Sequence, residues 1–137
     1  VGKLKGLKDV NVIEVKNYLN VPSDMFVVTE ETYNTKKDLL RRFLSAYREC
    51  TQWMIDNPEE AAQVAKTRSI NGRNESVNLE IIKIRNLSSV SPTTRKMGLG
   101  HFDLDLLQKG AKTFEELGLI SKPIDISKVV KSDLIPK

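Results

Sequence analysis

Apolar and polar positions change period along this chain, and the changes mark its elements. Residues 10–15 alternate loosely and are β-branched, which predicts a strand. Residues 16–24 carry Asn17, Asn20, Pro22 and Ser23 and read as a loop. Residues 25–29 form a short apolar run, Met-Phe-Val-Val-Thr, that suits a strand buried on both faces. From there the period becomes helical. Thr35 followed by Asp38 is a start signal, in which the hydroxyl can cap free backbone N–H groups. Leu39, Leu40, Phe43, Leu44, Tyr47, Cys50, Met54 and Ile55 then recur at three- and four-residue spacing. They predict one apolar helix face ending near Asp56, with Arg41, Arg48 and Glu49 outward.

Asn57-Pro58-Glu59-Glu60 predicts a second helix start: a capping amide, a preset φ at the first helical position, and acids at the positive end of the dipole. Ala61, Ala62, Val64 and Ala65 make this a small-residue helix that can approach a neighbour closely, and residues 69–73 break it. A third helix is expected over about residues 76–87, although its isoleucines suit a strand as well. Residues 88–101, with Pro92, Gly98 and Gly100, read as a loop. Asp103 then caps a fourth helix through Leu117, with Gly118 placed for a left-handed stop. The tail from Ser121 is irregular, with room for one short helical turn. Two strands cannot make a stable sheet alone, so the pattern is that of part of an α/β domain whose other strands lie elsewhere.

Composition adds boundaries. The 137 residues fall in the range of one domain, with 39% hydrophobic and 29% charged positions, as in a soluble globular protein. The net charge of +4 is spread over mixed signs, and Arg41, Arg42 and Arg48 are interrupted by Asp38 and Glu49, so the chain is not expected to bind nucleic acid. Cys50 is the only cysteine, which excludes an intrachain disulfide and argues against a thiolate metal site; its place in the apolar pattern reads as buried packing. No run of about eighteen apolar residues is present. The basic start lacks the apolar stretch of a signal peptide, which fits a removed signal or a beginning inside a larger protein.

Candidate chemistry is sparse. His101 is the single histidine and has neither a second conspicuous ligand nor a nucleophile motif beside it. Gly98-Leu-Gly100 is too short for a dinucleotide fingerprint. Glu30-Glu31 and Glu59-Glu60 are helix neighbours that point apart. Asn74-Glu-Ser76 and Asn86-Leu-Ser88 match a glycosylation pattern that is common by chance. No cofactor and no metal site is expected, and the chain reads as a non-enzyme. The richest place is the loop before residues 25–29. Tyr18, Asn20, Ser23 and Asp24 offer an aromatic ring, an amide, a hydroxyl and a carboxylate, and ligand sites in α/β sheets often lie at strand ends. The same residues also fit a plain turn in which Ser23 and Asp24 cap local backbone.

Met25-Phe-Val-Val-Thr-Glu, then Asp38-Leu-Leu-Arg-Arg-Phe-Leu-Ser-Ala-Tyr, then Trp53-Met-Ile-Asp-Asn-Pro-Glu-Glu-Ala-Ala occur in a telling order. With Gly98-Leu-Gly-His-Phe-Asp and Phe114-Glu-Glu-Leu-Gly-Leu-Ile, the chain resembles the C-terminal half of the nitrate/sulfonate/taurine-type solute-binding proteins of ABC importers, a group that includes binders of thiamine-pyrimidine precursors. The resemblance implies an α/β fold of the periplasmic-binding-protein-like type II, of which this is the C-terminal portion only, mostly helical with two or three strands. It implies that residues 1–24 end the second lobe and supply a cleft-facing loop. Residues 25–137 would be the return crossing strand and the helices completing the first lobe. Tyr18, Asn20, Ser23 and Asp24 would then face a small-molecule solute. The implied partners are the importer's membrane permease and the N-terminal half of the parent protein, and the implied location is periplasmic, or extracellular on a lipid anchor. Two rivals share features with this reading: a thiamine-precursor-synthesising enzyme of the same fold, and a helical interaction or effector domain.

Overall fold

The computed structural model describes residue 6 and residues 8–22, 24–68 and 74–135. Ser23 and the expected break at residues 69–73 lie outside the described residues, as does Pro136. Among the described residues the architecture is helical: a 3-10 turn at Val15–Asn17, then α1 (Glu30–Thr35), α2 (Lys37–Asp56), α3 (Pro58–Arg68), α4 (Glu75–Ser89), α5 (Pro92–Met97), α6 (Leu104–Glu116) and α7 (Ile126–Val129).

The two expected strands are not there. No strand forms among the described residues. β-propensity records only that side chains suit a pleated, half-buried surface. A strand also needs a neighbour to take its backbone groups, and no such ladder forms around residues 10–15 or 25–29. The second segment stays exposed, with Val27 at 88%.

The helix starts follow local chemistry, with one relocation. Thr29 caps α1, a short helix not expected from the pattern, and Thr35, expected to cap the long helix α2, is the last residue of α1: the Thr29 Oγ1 accepts from the Thr32 N–H at 3.1 Å, and Glu30 and Glu31 occupy the first turn. Thr35 instead donates its hydroxyl back to the Glu31 carbonyl at 2.7 Å. The chain breaks at Lys36 (φ −126°, ψ 31°) before α2 begins. α4 spans two residues more than expected at its C-terminal end, and a short helix, α5, occupies part of the expected loop. Its start is a capping box: the Ser91 Oγ accepts from the Thr94 N–H at 3.1 Å, and the Ser91 N–H donates to the Thr94 Oγ1 at 2.7 Å. Asp103 caps α6 as its position implies, accepting from the Leu106 N–H at 2.9 Å. At the other end Gly118 takes φ +69°, which lets the Leu119 N–H reach the Phe114 carbonyl at 2.9 Å and the Gly118 N–H reach that of Glu115 at 2.9 Å.

The described residues form two compact units. One comprises the described part of Val1–Val12 with Ala46–Leu99, and its core is Ala61, Ala62 and Ile82 with Met54 and Leu79 packed on it. Alanines make this packing possible, because a methyl side chain lets the α3 backbone approach α4, and Ala62 has no exposed surface. One bond completes this unit. Pro58 has no N–H, so the Met54 carbonyl in the last turn of α2 lacks its usual i+4 donor. The Asn86 amide supplies one from α4, donating Nδ2–H to the Met54 oxygen at 3.0 Å. Asn57, expected to cap α3, donates its own amide backwards to the Trp53 carbonyl at 3.0 Å and so closes α2.

The other unit comprises Ile13–Ser45 and the described part of Gly100–Lys137. Leu107, Gly110 and Leu134 are its buried residues. Phe26 meets Phe43 edge-on with ring centroids 5.2 Å apart. Gln108 holds the approach to α7 by two bonds, donating Nε2–H to the Ile124 carbonyl at 2.9 Å and accepting from the Ile126 N–H at 3.0 Å. α2 itself buries no residue. Leu39, Phe43 and Tyr47 remain exposed, and so is Cys50, whose expected burial is therefore overturned.

Candidate functional site

The loop singled out by its side chains is anchored by a residue that has no polar group. The 3-10 turn at Val15–Asn17 ends as the Tyr18 N–H donates to the Val15 carbonyl at 2.9 Å, and the Leu19 N–H donates to the same oxygen at 3.0 Å. This shared acceptor turns the chain so that Val21 and Pro22 are half-buried while Tyr18, Asn20 and Asp24 are exposed. Val21 lies against Gly110 in the middle of α6: a Cβ at Gly110 would stand 2.8 Å from the Val21 Cγ1. The absence of a side chain at Gly110 is what lets the loop seat there. Tyr18 is 80% exposed, so its ring is free to meet a ligand and takes no part in packing.

The structure therefore brings Tyr18, Asn20 and Asp24 onto one short exposed segment, and Ser23 lies outside the described residues. No group of three or more His, Cys, Asp or Glu side chains among the described residues is placed to hold a metal ion. His101 is half-buried between Gly100 and α6. Asn86, one of the two glycosylation matches, has its amide nitrogen committed to Met54.

A second polar cluster was not foreseen from the sequence. The Tyr33 hydroxyl donates to the Asp133 Oδ1 at 2.8 Å, across a separation of 100 residues. The Lys37 ammonium lies 3.6 Å from the other Asp133 oxygen, 3.3 Å from the Tyr33 hydroxyl and 4.4 Å from the centre of the Tyr33 ring. The bond from Tyr33, helped by the charge of Lys37 and opposed by some desolvation, holds the Asp133 carboxyl below the ordinary carboxylate range. The four-residue spacing of Tyr33 and Lys37 was a visible signal; their acidic partner in the tail was not. The cluster fastens the tail beside Leu134, which is buried.

An open hollow of about 390 Å³ lies between α3 and α4, lined by Glu59, Ala62, Asn74, Glu75, Ser76 and Leu79. Its carboxylates have structural employment. Glu59 sits in the first turn of α3, and Glu75 sits in the first turn of α4 and pairs with Lys66 at 3.4 Å. Asn74 caps α4, accepting from the Ser76 N–H at 2.9 Å.

No helix among the described residues is long and apolar enough to cross a membrane. Residues 2–61 match the sequence model of the family described as NMT1/THI5 like. The match takes in the loop with Tyr18, Asn20 and Asp24, together with α1, α2 and the start of α3. The glycine-containing segment at residues 98–103 and the ending at residues 114–120 lie outside it. No curated protein and no solved structure matches the chain.

Proposed function

We propose that this chain is part of a non-catalytic solute-binding protein that captures a small molecule and presents it to the membrane permease of an ABC-type importer. The observation that carries the proposal is the family match over residues 2–61, because it contains the loop whose exposed side chains are suited to a ligand. In this reading the parent has the two-lobed periplasmic-binding-protein-like type II fold, working in the periplasm or on a lipid anchor outside the cell. Residues 1–24 end one lobe and residues 25–137 complete the other, and residues 25–29 become a strand once the rest of the parent's sheet lies beside them. The solute is of the nitrate, sulfonate or taurine kind, or a pyrimidine precursor, held by Tyr18, Asn20, Ser23 and Asp24. Ligand contacts made only in the closed arrangement would then supply the affinity. The same family match is compatible with a thiamine-precursor-synthesising enzyme; that branch resembles chains with several cysteines and functional histidines, whereas this one has Cys50 and His101 alone.

The test is calorimetric titration of the full-length parent with taurine, nitrate, an alkyl sulfonate and an aminopyrimidine, repeated with Tyr18→Ala and Asp24→Asn. One ligand is expected to bind with unit stoichiometry, and each substitution to weaken it about tenfold or more, the loss of roughly one hydrogen bond to a charged group. The 137-residue chain alone is expected to bind more weakly than about 1 µM, since it holds one wall of the cleft. Unchanged affinity in both variants removes the loop from the site, and conversion of a pyrimidine precursor by the parent favours the enzyme.

A further inference from the structure

We draw no further inference here: the strongest candidate, the exposed apolar stripe of α2 bearing Leu39, Phe43, Tyr47 and Trp53, runs through both compact units and nothing in the structure shows what covers it.

Discussion

Replacing Gly110 by alanine sets two known effects against each other at one atom. Within the thirteen-residue helix α6, a glycine costs about 1 kcal/mol relative to alanine, so the substitution should stabilise by that amount if nothing stood in the way. Something does. The new methyl would lie 2.8 Å from the Val21 Cγ1, 3.5 Å from its Cβ and 3.7 Å from its Cγ2. Carbon atoms pack best at about 3.5–4.0 Å, so the first contact is short by roughly 0.7 Å or more. Valine has little freedom to respond, because its branched Cβ restricts χ1 and both methyls already lie near the new atom. The loop must retreat, and over-packing of this kind costs about 1–3 kcal/mol.

The net for Gly110→Ala alone is thus between about zero and 2 kcal/mol of destabilisation, a range too wide to be decisive. A double-mutant cycle separates the terms. In a Val21→Ala background the clashing methyl is gone, and Gly110→Ala should there stabilise by about 1 kcal/mol. Urea unfolding of the four proteins, compared at constant m, should give a coupling of about 1–3 kcal/mol. If Gly110→Ala raises stability by the same amount in both backgrounds, within about 0.5 kcal/mol, Val21 does not rest on Gly110 and the seating of the loop is wrong. In the full-length parent, the same substitution should weaken solute binding and Val21→Ala should restore part of it, since Tyr18 and Asn20 are displaced with Val21.

Further substitutions probe three separate supports. Asn86→Ala strips the Met54 carbonyl of its donor and should cost about 1–2 kcal/mol by chemical denaturation; adding Pro58→Ala, which returns a backbone N–H, should recover part of the loss, and no recovery would mean Asn86 acts by packing instead. Gly118→Ala meets no atom within 4 Å, so its cost, about 1 kcal/mol, is purely that of a left-handed alanine; Gly118→Asn should cost less, and equal costs would point to a contact not accounted for. For Asp133 the folded carboxyl is depressed, so its contribution is present above the ordinary carboxylate pKa and fades as pH falls through the lower folded value. Asp133→Asn and Tyr33→Phe should each flatten the stability profile in that acid window and leave its slope near neutrality unchanged; a parallel profile in both would show that the Tyr33 bond does not set the shift.

What was legible in the sequence is what one helical turn can decide. Pro58 with its two glutamates, Asp103 at a cap and Gly118 past an end are local arrangements, and each helix boundary they imply is present within a residue or two. The same locality explains the error at Thr35. One-turn rules offer Thr35 as the cap of α2, but they do not show that a separate helix, α1, starts at Thr29 and ends on Thr35, whose hydroxyl is spent on the Glu31 carbonyl. The anchor of the candidate loop was illegible for the opposite reason. Its polar residues drew attention, yet Val21 holds it, and the partner is a glycine in a helix far along the chain. Tyr33 with Asp133 and Asn86 with Met54 are likewise long-range pairs that no period announces.

Periodicity also carries a promise that the described residues do not redeem. Leu39, Phe43 and Tyr47 recur as a buried face would, and residues 25–28 have the composition of a doubly covered strand, but all of these side chains are exposed. Spacing tells which side of an element is written for burial; whether anything lies on that side is a property of the neighbours. Phe26 shows the difference within one segment. It meets Phe43 with ring centroids 5.2 Å apart and is 55% exposed, while the next residue, Val27, is 88% exposed. Apolar side chains left this exposed on residues 25–28 and on α2 call for a further layer, which in the proposed reading the rest of a two-lobed solute-binding parent would supply.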